Sequence, residues 1–461
     1  MLRASVALVS AAAILSAQPA RRTASLVVTG GIVVTVDPGG RVLSPGAVAI
    51  AGRDIVAVDT PEAIAARFDA RESLDATGQV VMPGLVNTHT HAAMVLYRGL
   101  ADDLALMAWL QEYIFPAEAK TVTPEFVRAG TRLAALEMIQ SGTTTYADMY
   151  YFEEEVARAT KEAGLRGVLG QTVIRFPVAD ARTPAEGLAR AEAFLDRFAG
   201  DELIVPAVAP HAMYTLDAAT LKAVRALADR KRAPVLIHLA ETADEVKNSV
   251  QEHGGSPTRY LETLGFWGPR TVAAHAVWLS PDDIAILAAR HVGVSHNPES
   301  NMKLASGSAR VVAMRSAGVS VGLGTDGAAS NNDLDMFEAM RQAAFLAKLQ
   351  TGDPRAVPAR TAVEMATIEG ARVLGLDAQI GSLEAGKRAD LITVSLGAAR
   401  QVPMYDPLSH LVYVTRGDDV RTTIVNGRVL MRDRRVQTLP EADVLTDARA
   451  FAVKVREAVG K

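Results

Sequence analysis

Cysteine is missing altogether from the 461 residues. That excludes disulfides, thiolate nucleophiles, cysteine-ligated zinc and lipid attachment to an N-terminal cysteine. It also excludes the cytidine-deaminase type of site, whose zinc needs cysteine ligands. An excess of one charge is missing too: 48 Lys and Arg stand against 52 Asp and Glu, without a long basic run. The net charge of −4 speaks against nucleic acid or an anionic membrane as partner and leaves a small molecule. No apolar run reaches the length of a membrane span. What is present, 49% apolar and 22% charged residues, suits a globular enzyme with one large barrel and a small accessory domain. A homo-oligomer is compatible with all of this.

The first twenty residues have a pattern of their own. Arg3 precedes an apolar run over 6–15, and small residues follow around Ala17 and Ala20. This reads as a signal peptide over residues 1–20, cut after Ala17 or Ala20, and predicts a periplasmic or secreted enzyme. The alternative is a retained N-terminal segment with no export role and a cytoplasmic protein.

Residues 25–36 and 47–57 are β-branched and apolar, interrupted by Gly and Pro, and read as strands. The far end echoes them at 390–395, 412–415 and 421–431, with an Asn426-Gly427 hairpin turn. The pattern predicts a small β-sandwich domain built from both termini, residues 21–82 and 376–461. Between them, over 83–375, strands and helices alternate. Apolar runs end at Val86, Tyr146, Val173, Val208, Ile237, Ala274, Val294 and Leu323, and amphipathic stretches cover 124–140, 184–198, 217–228 and 281–289. Eight strands in alternation predict an α/β fold, a (β/α)8 TIM barrel, with its chemistry at the strand C-termini.

The polar residues at those ends are distinctive. His89 and His91 share one face of the first strand, because side chains alternate. His238 ends the fifth strand, His275 the sixth, and Asp326 the eighth. Three imidazoles and a carboxylate make an N3O ligand set for zinc that leaves a position for water. Any one of these residues alone would be a hydrogen-bonded structural group; their shared placement is the signal.

The chain resembles the amidohydrolase superfamily, in its branch of methylthioadenosine/S-adenosylhomocysteine deaminases with the related guanine deaminases and triazine chlorohydrolases. The matching strings are Pro-Gly-Leu-Val-Asn-Thr-His-Thr-His at 83–91, His-Leu-Ala-Glu at 238–241, His-Asn-Pro-Glu-Ser-Asn-Met-Lys-Leu-Ala-Ser-Gly at 296–307, and Gly-Thr-Asp-Gly-Ala-Ala-Ser-Asn-Asn at 324–332. The likeness runs from about residue 25 to 438. It implies one metal ion, Zn2+ or alternatively Fe2+, held by His89, His91, His238 and Asp326. It gives catalytic roles to three residues: Glu241 exchanging a proton with a ring nitrogen, His275 orienting the water, and Asp326 acting as base. Glu241 and Asp326 thereby meet the substrate, while Glu118 and His211, with Trp109 close to Glu118 in sequence, match positions that grip a ribose. Dinuclear relatives bridge their metals with a Lys on the fourth strand, and 201–214 has none.

The implied activity is hydrolytic deamination of a purine-like substrate such as methylthioadenosine or S-adenosylhomocysteine. The chemistry is coherent, since zinc lowers the pKa of its water to about 7 and an acid must protonate the ring nitrogen. Hydrolysis of guanine, a triazine or a simple amide is the competing enzymatic reading, and a non-catalytic binding protein the other. Arg175 and Arg182 are candidates to hold a substrate carboxylate. His253, His291 and His410 read as surface or capping residues. His296, Asn297, Ser300 and Asn301 read as shaping the loop after strand seven, and the glycines beside Asp326 as allowing a tight turn.

Overall fold

All eight expected apolar runs become parallel strands, in strict sequence order around one sheet, in a computed structural model that describes residues 21–460. They are β1 Leu85–Thr90, β2 Thr143–Tyr150, β3 Arg166–Val173, β4 Ile204–Pro210, β5 Val235–Leu239, β6 Thr271–His275, β7 Gly293–His296 and β8 Val321–Leu323. The last returns to the first: Thr88 Oγ1 donates to the carbonyl of Leu323 at 2.9 Å, and the N–H of Asp326 donates to the carbonyl of His89 at 3.0 Å. The fold is a (β/α)8 TIM barrel. β1 and β2 run past their apolar stretches into polar tails, which puts Asn87 to Thr90 and Asp148 to Tyr150 at the rim.

Local chemistry sets the helices of the outer ring. Pro124–Ser141 starts with the Thr123 hydroxyl accepting the N–H of Phe126, has Pro at its first position, and stops at left-handed Gly142. Thr183 with Pro184 and Ser280 with Pro281 repeat the device for Pro184–Arg197 and Pro281–Ala289. The expected 217–228 helix is Ala218–Lys231, capped by Asp217.

Both ends of the chain enter a nine-stranded mixed sheet. Strand Gln79–Pro83 joins them, pairing parallel with Leu26–Val34 and antiparallel with Leu391–Ser395. Val28, Ile50, Ile55, Val81, Leu391 and Ile424 bury against one another, so this sheet has its own core. Strands Val420–Val425 and Arg428–Arg432 turn at Asn426-Gly427, both with positive φ as a type I′ turn requires. Arg166 of β3 fastens sheet to barrel: its Nη2 is 3.1 Å from Asp390 Oδ2, and both side chains are buried.

Two expected strands differ. The 47–57 stretch is a hairpin, Val42–Ala51 and Asp54–Asp59, turning through Gly52 at φ 62°. Residues 412 and 413 instead finish a helix, Pro407–Tyr413, that Asp406 caps and Pro407 starts, with Val414 at its C-cap. There the start signal outweighs the β-propensity of Val412 and Val414. The signal-peptide expectation lies outside the described residues. Among those described, no helix is long and apolar enough to cross a membrane.

Candidate active site

Strand ends converge on a cluster at the C-terminal mouth of the barrel. His89 comes from β1 and His91 from the residue just past it, His238 from β5, His275 from β6, and Asp326 from the turn after β8. His89 and Asp326 Oδ1 lie 3.5 Å apart through Nε2, and His91 Nε2 stands 3.3 Å from the same oxygen. His91 Nε2 and His238 Nε2 are also 3.3 Å apart. Bonds of about 2.0–2.1 Å to a tetrahedral ion place its ligands about 3.3–3.4 Å from one another, which these spacings match. His89 Nε2 is buried without a hydrogen-bond partner, as a donor atom awaiting an ion would be. These residues fit a divalent metal. His275 also comes within ligand distance of His89 and His238.

The surroundings fix each ring. His91 Nδ1–H donates to the carbonyl of Met149 and His238 Nδ1–H to that of His211, both at 2.7 Å, which leaves each Nε2 as the basic atom. His275 Nδ1–H donates to Asn301 Oδ1 at 2.9 Å, turning its Nε2 toward Glu241 Oε2, 3.7 Å away. Asp326 Oδ2 accepts from Ser300 at 2.7 Å and Ser330 at 3.0 Å, and Oδ1 accepts the Gly327 N–H at 2.7 Å. His275 and Asp326 hold left-handed φ values of 72° and 64°, conformations that cost roughly 1–3 kcal/mol each and collect at functional sites. Gly324 lets β8 close in: a Cβ there would stand 2.4 Å from Asn297 Oδ1 and 3.0 Å from the Cβ of His89.

Burial and the cluster's own charges tune these groups. Burial pushes His89 down to about 4, His211 to about 3, and His238 well below the usual imidazole range. Burial alone would also lower His91, but its hydrogen bond and charge contact with Asp326 carry it to about 9. Burial would raise Asp326, yet His89 and His91 hold it well below the usual carboxylate range. Glu241 goes the other way, raised by burial.

A cavity of about 610 Å³, open on one side, sits above the cluster. His91, His238, Glu241, His275 and Asp326 line its floor, and Glu118, Tyr150 and His211 line it too. Leu106, Trp109, Leu110, Ile114 and Phe115 give it an apolar wall. That wall includes a π-helical turn, Trp109–Ile114, continuous with the helix Phe115–Thr121 that carries Glu118. Glu118 is buried, accepts the Tyr150 hydroxyl at 2.6 Å, and is pushed up to about 7 by burial.

The structure thus gathers His89, His91, His238, His275, Glu241, Asp326, Glu118 and His211 in one place. It does not bring in Arg175 or Arg182, which are exposed and outside the lining. His253, stacked on Tyr260, and His291 are exposed, whereas His410 is buried with its Nε2 3.2 Å from the carbonyl of Gln401. Ser300 and Asn301 do more than shape a loop, since they hold Asp326 and His275. Sequence reasoning missed Tyr150 and Glu245, whose carboxylate accepts the N–H groups of Ala240 and Glu241, both at 2.8 Å. Glu245 had a faint signal, four residues past Glu241; Tyr150 had none.

The sequence pattern described as "Amidohydrolase family" matches residues 80–430. The chain is 48% identical over 433 residues to a protein of Syntrophobacter fumaroxidans named 5-methylthioadenosine/S-adenosylhomocysteine deaminase, covering 94% of this chain and 99% of that one. It is 45% identical over 433 residues to a 5'-deoxyadenosine deaminase of Methanosarcina acetivorans, covering 93% and 98%. A solved structure of an adenosine deaminase from Xanthomonas campestris with bound zinc superposes with a TM-score of 0.93 at 41% identity, covering 95% of this chain and 100% of that one.

Proposed function

We propose that this chain, which belongs to the amidohydrolase family, is a hydrolytic deaminase of adenosine compounds of the methylthioadenosine, S-adenosylhomocysteine or 5'-deoxyadenosine kind. It is a metal-dependent hydrolase of carbon–nitrogen bonds. The observation that carries the substrate reading is the presence, in one cavity, of two buried carboxyls: Glu241, close to His275 of the histidine cluster, and Glu118, which lines the same cavity.

His89, His91, His238 and Asp326 would hold one divalent ion, with Zn2+ the first choice and Fe2+ the alternative. When bound, that ion supplies a water activated at neutral pH. The chain's own groups do the rest. Glu241, whose pKa burial raises, delivers a proton to the ring nitrogen and makes the adjacent carbon electrophilic. His275, whose Nδ1–H is committed to Asn301, presents Nε2 to orient the attacking water. The water oxygen bonds to the carbon bearing the amino group. Asp326, held ionised, takes one water proton and passes it to that nitrogen, the C–N bond breaks and ammonia leaves, and the proton left on the new hydroxyl returns to Glu241 as the carbonyl forms. Glu118 accepts a ribose hydroxyl, and His211 flanks it.

An ammonia-release screen of the metal-loaded protein tests this. Methylthioadenosine, 5'-deoxyadenosine, S-adenosylhomocysteine and adenosine are expected to release ammonia ahead of guanine and melamine-like triazines. The reverse order would overturn the substrate assignment. We also read residues 1–20 as an export signal. N-terminal sequencing from the native host should then find a chain starting near Gln18 or Arg21, and an intact Met1 confined to the cytosol would refute it.

A further inference from the structure

Beneath the pocket lie two buried carboxyls that the proposed reaction leaves unused. Asp148, in β2, and Glu153, at the start of the helix Glu153–Ala163, are both fully buried. Asp148 Oδ1 accepts the N–H of Ala92, the residue after His91, at 2.5 Å. Glu153 Oε1 accepts the N–H of Tyr150 at 2.8 Å. That peptide group links two working atoms: the Met149 carbonyl, on which His91 leans, and Tyr150, whose hydroxyl serves Glu118.

The other two oxygens, Asp148 Oδ2 and Glu153 Oε2, are buried and meet no donor. The carboxyls nevertheless lie within hydrogen-bonding reach of each other. Two acceptors facing one another in a dry interior are both satisfied when a single proton sits between them. Burial favours this by raising Asp148 to about 6 and Glu153 well above the usual carboxyl range.

We infer that Asp148 and Glu153 form one proton-sharing strut that positions both ends of the pocket, the metal-side imidazole of His91 and the Tyr150–Glu118 pair. Both are positioning residues, and neither lines the cavity. The inference rests on the deaminase reading only for what the Tyr150–Glu118 end does to a nucleoside; the His91 end is tested by metal binding alone.

The amide variants Asp148→Asn and Glu153→Gln give a sharp test. In either single variant, the new N–H replaces the shared proton, and the amide oxygen still accepts its backbone N–H. Zinc affinity, measured by chelator competition, and KM for methylthioadenosine should both stay within about threefold of the parent. In the double variant two NH2 groups face one another with no acceptor, and a buried unsatisfied donor is costly. Zinc should then bind roughly tenfold weaker or worse, and KM should rise by a similar factor. Singles as damaged as the double, or a double that matches the parent, would overturn the strut. Should the double variant not fold, Glu153→Met takes its place: it removes the acceptor for Tyr150, so both readouts should worsen and Glu153→Gln should restore them. Equal behaviour of Met and Gln at 153 would overturn the proposal. A protein that releases ammonia from no nucleoside, yet shows the zinc pattern, would refute the substrate reading and leave the strut standing.

Discussion

The carbonyl oxygen of His211 accepts the Nδ1–H of His238 at 2.7 Å, so a residue of the pocket wall sets the tautomer of an imidazole in the histidine cluster. The contact is made by backbone, while the His211 ring faces the cavity. His211→Ala therefore keeps the carbonyl and should keep the metal, and should raise KM for a nucleoside. Glu118→Ala should do the same. Both should spare the free base, which has no ribose to hold, and equal losses on nucleoside and base would make the pair structural.

Metal uptake should release a proton. In the metal-free chain His91, raised to about 9, is charged near neutrality, while His89 and His238 are neutral and ready to ligate. Uptake of about one divalent ion per chain near pH 7 should expel about one proton, an effect that fades as pH rises past about 9. Apparent affinity should accordingly climb with pH over that window. Calorimetry in buffers of different ionisation enthalpy measures the proton, and metal analysis the stoichiometry; two bridged equivalents would refute the mononuclear assignment.

Glu241→Gln should keep the metal and lose most of kcat. Glutamine can hydrogen-bond a ring nitrogen but delivers no proton, and general acid catalysis is worth about 10²–10⁴-fold. Asp326→Asn should lose both metal affinity and rate. Near-normal turnover in Glu241→Gln would point to a reaction without ring protonation, such as hydrolysis of a simple amide.

The pH dependence of nucleoside binding should follow Glu118. Burial raises it to about 7, and the ionised form is the better acceptor for a ribose hydroxyl. KM for a nucleoside should fall as pH rises through about 7, and Glu118→Gln should flatten that profile. An unchanged profile in the variant would place the titration elsewhere.

Arg166 and Asp390 form a buried ion pair at 3.1 Å between barrel and terminal sheet, and Asp390 Oδ1 also accepts the Asn426 N–H at 2.6 Å. Asp390→Ala strands the guanidinium and should cost about 3–5 kcal/mol in denaturant unfolding. Arg166→Met combined with Asp390→Leu should recover much of that loss.

The barrel, and the gathering of these polar residues at its mouth, were legible because their signals are local. Each strand is an apolar run, and each of His89, His91, His238, His275 and Asp326 sits at or just past the end of one. Turns were harder. Gly52 hides inside an apolar stretch, and the β-branched stretch from Val412 to Thr415 begins inside the helix that Asp406 starts and runs on past its end at Tyr413. The supporting groups were least legible. Asn301 meets His275 across 26 residues, and Met149 meets His91 across 58. Nothing in a Tyr or a backbone carbonyl marks such an assignment, and only the closed barrel brings these pairs together.

The strand Gln79–Pro83 has a consequence for how the protein is made. Thr393 reaches Gln79 at 2.6 Å across a separation of 314 residues, so the sheet stays unfinished until nearly the whole chain exists. During synthesis from the N-terminus, Val80, Val81 and Met82 have Leu26–Val34 on one side and nothing on the other. An open apolar edge is a template for pairing with a neighbouring chain. A product cut short before Leu391 is left with that edge exposed however well its barrel has formed, which makes premature termination a hazard of aggregation as well as a loss of catalyst.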